Sequence, residues 1–218
     1  MWLTAPNRLG FAAWVDGAMA WRLDARGGEH SIQLGGDSHS VQLTSSDENA
    51  LPLLQEQFVR GDELHLAFPQ VEGVNDFGFN LVFRPIASSE SESTARVLEC
   101  LVSIQTTLLD LEPTIDIVVP EADGSRLADV EAEGVATSFS GNLFSGAVLL
   151  GRHDAPFTSV DVSNKQTTFR LFGEFLEKGV IRRARPWLVL ESRANQTCSE
   201  PFLQSLLKEL QASPLPLT

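Results

Sequence analysis

Apolar residues in this chain come in short alternating runs closed by glycine and aspartate, and that rhythm restricts the chain to strands. Leu64, Leu66 and Phe68 alternate with Glu63, His65 and Ala67. A period of two marks a strand with one buried face. The same rhythm opens the sequence. Phe11 to Val15 and Ala18 to Leu23 flank Asp16-Gly17, a turn pair whose central positions favour positive φ and tight hairpins. Ile32 to Leu34 and Val41 to Leu43 flank a glycine-rich turn, and Leu54 to Val59 and Glu63 to Phe68 flank Arg60-Gly61-Asp62. Phe77 to Phe83, Thr114 to Val119, Phe144 to Leu150 and Phe157 to Val162 add further strands. Thr167 to Leu176 and Val180 to Leu190 predict a long hairpin around Glu177-Lys178-Gly179, with Pro186 marking an edge or bulge.

Three segments depart from this pattern. Arg96 to Leu111 reads both ways, because Val97, Leu101, Ile104, Leu108 and Leu111 have helical spacing while Leu98, Cys100, Val102 and Ile104 alternate. Indifferent helix formers such as Ser103, Thr106 and Thr107 tip it towards strand. Residues 121–134 are acidic and rich in small side chains, which predicts a surface excursion. At the C-terminus Ser199 stands at an N-cap, and Phe202, Leu203, Leu206, Leu207 and Leu210 form one stripe. A helix follows, stopped by Pro214 and Pro216. The fold expected is an antiparallel β-sandwich, of the large twisted kind, with one C-terminal helix; a helical Arg96 to Leu111 would make it α+β instead. The 218 residues suit one domain, or two β halves meeting at the polar stretch near 86–95. Glu56 to Gly61 resembles Glu174 to Gly179 faintly, as a duplicated sandwich would.

Composition limits the partners. A net charge of -13 repels nucleic acid and anionic membranes at long range. Two cysteines, Cys100 and Cys198, make no disulfide framework. Neither a leader of basic and apolar residues nor a stretch long enough to span a bilayer is visible, so the expected location is the cytoplasm.

Catalytic signatures are missing. His30, His39, His65 and His153 have no metal-ligand spacing, and no nucleophile elbow or phosphate loop occurs. No metal and no cofactor is expected. Scattered carboxylates, among them Asp110, Glu112 and Asp116, keep a carbohydrate-active enzyme as an alternative. The tryptophans Trp2, Trp14, Trp21 and Trp187 suit a core, with Trp14 and Trp21 placed to pair across the first hairpin. The one uneven feature is positive charge. Lys165 to Arg193 holds seven basic and three acidic residues. Within it Arg183 and Arg185 share a strand face with Trp187, close to Lys178, a combination that can grip a carboxylate, phosphate or sugar acid. Neutralisation by partners such as Glu174 is the competing expectation. These residues point to a non-catalytic binding or interaction module for a carbohydrate or small anion, with a protein partner or second copy as the alternative that a broad apolar surface would favour.

Overall fold

The computed structural model describes residues 1–17, 19–35, 40–46, 50–87, 95–120, 127–130, 134–140, 145–154, 158–163, 166–191 and 198–213. The strands run in chain order as β1 (Trp2–Thr4), β2 (Phe11–Asp16), β3 (Met19–Asp24), β4 (Gly27–Gly28), β5 (Ile32–Leu34), β6 (Val41–Thr44) and β7 (Leu51–Leu53). They continue as β8 (Glu56–Arg60), β9 (Glu63–Phe68), β10 (Gly78–Ile86), β11 (Arg96–Gln105), β12 (Thr114–Pro120), β13 (Leu127–Val130) and β14 (Gly134–Ser140). The last are β15 (Ser145–Gly151), β16 (Thr158–Ser163), β17 (Gln166–Phe172), β18 (Ile181–Ala184) and β19 (Trp187–Glu191), before helix α1 (Glu200–Ala212).

Two open antiparallel sheets pack face to face. One has the order β1-β2-β3-β5-β6-β12-β17-β16; the other runs β13-β14-β15-β19-β11-β10-β9-β8, with β18 also on β11. Alternation decides which side chains meet between them. Trp14, Leu23, Ile117 and Phe169 from the first sheet join Leu64, Phe79, Leu98, Cys100 and Leu188 from the second in one core. Trp14 and Trp21 are directly paired, with rings stacked 5.1 Å apart. Helix α1 covers the outer face of the second sheet. Leu203, Leu206, Leu207 and Leu210 pack there on Val97, Ala147, Leu149, Trp187 and Val189, a second core. Ser199 occupies the N-cap, but its side chain makes no capping hydrogen bond. Among the described residues no helix is long and apolar enough to cross a membrane.

Of the segment 96–111, Arg96–Gln105 is strand, with Leu98, Cys100, Val102 and Ile104 facing the inter-sheet core, and 106–111 is loop; no helix forms there. The stretch 88–94, where the two halves were expected to meet, lies outside the described residues; its flanks β10 and β11 pair from Gly78↔Gln105 to Ile86↔Val97. Much of the acidic excursion also lies outside, yet Leu127–Val130 is a strand paired with β14, not a loop.

The expected long hairpin does not form. β17 pairs with β12 and β16 in the first sheet, while β18 and β19 pair with β11 in the second. The chain crosses the sandwich between them. Phe172 at φ 66° and Gly173 at φ 86° turn it out of the first sheet. Gly173 accepts this backbone readily, whereas Phe172 is held there at a steric cost. Leu176 then bridges to Leu111. Two apolar runs around a glycine look alike whether the chain doubles back or crosses over. The likeness of Glu56–Gly61 to Glu174–Gly179 ends here, since one is a hairpin and the other a crossover. Pro186 falls where pairing changes: β18 pairs β11 alone, while β19 pairs both β11 and β15.

Candidate functional site

The four residues singled out for ligand binding, Arg183, Arg185, Trp187 and Lys178, are placed in different surroundings. Trp187 is 1% exposed and Arg185 2% exposed, both on the second sheet's outer face. The Trp187 indole N–H donates to Glu99 Oε2 at 3.2 Å. Arg185 Nη2 donates to the carbonyls of Leu210 and Ser213, each at 3.1 Å, and its Nε lies 3.8 Å from Glu99 Oε2. Arg84 approaches Glu99 from the far side, Nε to Oε1 2.9 Å. The network thus anchors the C-terminal turn of α1, where carbonyls lack helical partners, and leaves both Glu99 and Arg185 inside. Asp154, 2% exposed, accepts the Arg185 amide at 3.2 Å, and burial raises its pKa to about 6. Arg183 is half-buried on the same face, and Lys178 is exposed at one end of the sandwich. Arg182, on the opposite side of the strand, pairs with Glu174 at 3.4 Å. Lys165, Arg193 and His39 lie outside the described residues.

The carboxylates offered for catalysis do not converge. Asp116 is 6% exposed and held bidentately by Arg170, at 2.9 Å to each oxygen. Asp110 is exposed in a turn at φ 58°. Among the described residues no group of three His, Cys, Asp or Glu side chains could hold a metal ion. Cys100 and Cys198 are both buried thiols, pushed up by burial, Cys198 to about 12.

A different region is built like a site. At the end of the sandwich holding Lys178, loops 69–77, 106–113 and 173–180 are laced together. Asn75 organises the first, accepting the Val71 amide at 2.7 Å and donating to the Pro69 and Phe77 carbonyls. Gln70 Oε1 accepts the Thr107 amide at 2.8 Å, and Thr106 Oγ1 donates to Asp76 O at 2.7 Å. The third loop joins through Gly179 N to Thr106 O and Leu176 N to Leu111 O. Beside them β4 and β7 pair, with Gly27 opposite Leu53. A Cβ on Gly27 would lie 2.3 Å from Pro52 O, and its φ is 70°, so only glycine permits this approach.

These pieces enclose a cleft of ≈ 610 Å³ between β4, β7, loop 69–77 and residues 111–114. Its walls are mainly apolar, from Leu51, Pro52, Leu53, Phe77, Leu111 and Pro113, and among the described residues no lysine or arginine lines it. Glu29, Asp76 and Glu112 stand exposed at its mouth. Leu53, Val71 and Val74 line it, and Leu108, Leu109, Phe175, Val180 and Ile181 lie on or next to the loops laced beside it; together they are eight of the fifteen exposed large apolar side chains among the described residues. More than half of these side chains are therefore on one end. Val74 is 77% exposed and Leu109 76%. The sequence carried a signal for this in Gln70-Val71-Glu72-Gly73-Val74-Asn75-Asp76 and Thr107-Leu108-Leu109-Asp110. Turn chemistry there calls for polar residues, and the apolar ones serve no strand.

No protein-family model matches the sequence, and no curated protein matches it. Among solved structures, it is similar to a heparan sulfate lyase HepC mutant from Pedobacter heparinus, with TM-score 0.49 and 10% sequence identity. The match covers 88% of this chain and 38% of that one, so the chain spans well under half the length of the protein it matches.

Proposed function

We propose that this protein is a non-catalytic interaction module, and that the loop-built end of its sandwich is the docking face for a partner protein. The observation that carries the reading is the concentration of exposed apolar side chains around the 610 Å³ cleft. Contiguous apolar surface is costly to leave in water and characteristically marks an interaction site. The loops beneath it are tied down by side-chain hydrogen bonds, so docking requires little further ordering.

Charge supports one class of partner. Glu72, Asp76, Asp110, Glu112 and Glu177 are exposed at this end, and among the described residues the cations on and just after loop 173–180 are Lys178, Arg182 and Arg183, Arg182 being paired with Glu174. A partner presenting apolar side chains flanked by lysine or arginine complements it. A second copy would set like charges against each other.

The reading is tested by isolating the tagged protein from the cells that make it, as wild type and as a Val74→Asp, Leu109→Asp double variant. Both positions are exposed, so the melting temperature should stay within a degree or two. The expected result is one polypeptide, basic at its contact surface, that accompanies the wild type and is lost from the variant. Identical companions for both proteins would contradict the proposal.

A further inference from the structure

On the opposite side of the first sheet from its core, a groove of ≈ 560 Å³ runs over β1, β2, β3 and β5. Register explains it. Leu3 pairs with Ala13 and Ala13 with Arg22, while the Gly35 amide donates to Arg22 O at 2.8 Å. The arginine thus stands between an alanine and a glycine, and their missing side chains leave the depression. Phe11 and Asp24 are the next pair along the same face.

The polar groups in the groove divide into committed and uncommitted ones. Asp24 is committed: Arg26 donates to it twice, at 2.9 and 2.7 Å, and holds its carboxyl below the usual range. Arg26 and Arg8 also lie over the Phe11 ring, at 5.2 and 5.1 Å from its centre. Arg22 has no ion-pair or hydrogen-bond partner for its side chain among the described residues, although the chain carries -13. Ser40 lines the same groove at 7% exposure, and its hydroxyl likewise makes no hydrogen bond among the described residues. The hydroxyl is not sealed from water, so a ligand in the groove can replace water as its hydrogen-bond partner.

We infer that this groove binds a small monocarboxylate with an apolar body, its carboxylate on the Arg22 guanidinium and within reach of Ser40. Among the described residues that line the groove, Arg22 is the one guanidinium, and it can hold one carboxylate bidentately. Asp24, charged and two residues along the strand, opposes a dianion such as phosphate. Leu3, Phe11 and Ala13 supply the apolar floor. The site is separate from the loop end, so either can fail without the other.

Benzoate, benzamide and glucuronate are the probes, titrated into the ¹⁵N-labelled full chain and followed by amide chemical shifts. Benzoate is expected to move the Ala13, Arg22 and Gly35 amides at millimolar concentration. Benzamide, which lacks the charge, and glucuronate, which lacks the apolar body, should each bind at least roughly tenfold more weakly, about 1.4 kcal/mol. Arg22→Gln should weaken benzoate by a similar factor. Ala13→Leu, which fills the groove and leaves the charge, should abolish the shifts. Shifts that survive both variants, equal binding of benzamide, tighter binding of glucuronate, or no shifts with benzoate would each overturn the inference.

Discussion

At the scale of single residues, burial of polar groups governs the chemistry that matters most here. Asp154 is buried beside the end of α1, near Arg185, His153 and Glu99, and its pKa is raised from 3.8 to about 6. An unfolded chain loses that proton near pH 4. Between pH 4 and 6 the folded state therefore binds more protons, and stability falls as pH rises through that window. The full difference is on the order of 3 kcal/mol, at about 1.4 kcal/mol per pH unit. Asp154→Asn keeps an acceptor for the Arg185 amide and removes the titration. Its stability relative to wild type, from urea denaturation, should rise between pH 4 and 7 and level off above; a constant difference would contradict the assignment. Thr137 offers a second test. Its hydroxyl is buried without a hydrogen bond at 1% exposure. Thr137→Val keeps the shape and should raise stability by ~1 kcal/mol in the same assay.

At the scale of elements, the sequence resolved local pairing better than long-range placement. The hairpins β2–β3, β5–β6 and β8–β9 follow from alternation and a turn, both properties of neighbouring residues. The same reasoning joined β17 to β18, and there it fails, because no local signal says to which sheet a strand returns. Arg185 shows the limit most clearly. Its partners Glu99, Leu210 and Ser213 are distant in sequence, and their convergence turns a residue that reads as ligand-binding into the anchor of α1. Removing one member of such a buried ionic network leaves the others unpaired. Arg185→Ala should cost about 3 to 5 kcal/mol, measured by denaturant unfolding. Leu207→Ala, beneath the same helix at 0% exposure, should cost about 2 to 5 kcal/mol. A loss under about 1 kcal/mol in either would show that α1 contributes little to the folded state.

At the scale of the whole molecule, apolar surface is unevenly spread. The outer face of the second sheet is covered by α1, and exposed apolar side chains such as Leu3, Phe58 and Val160 are spread over edge strands, while one end gathers exposed leucine, valine and phenylalanine beside a cleft that no cation lines among the described residues. Three loops with few residues of their own in the core are held there by Asn75, Gln70 and Thr106. Sequence patterning finds the strands that end in these loops, but not that the loops meet, because their contacts join residues 37 and 30 positions apart. The most direct test is a photo-crosslinking residue placed at Val74 in the protein as it functions in the cell, with Leu3 on the first sheet's edge strand as the control position. The account predicts a discrete adduct from position 74, absent from position 3, with the linked peptide apolar and flanked by lysine or arginine, and lost when Leu109→Asp is added. Adducts that are the same from both positions, or that persist with Leu109→Asp, would contradict docking at this end.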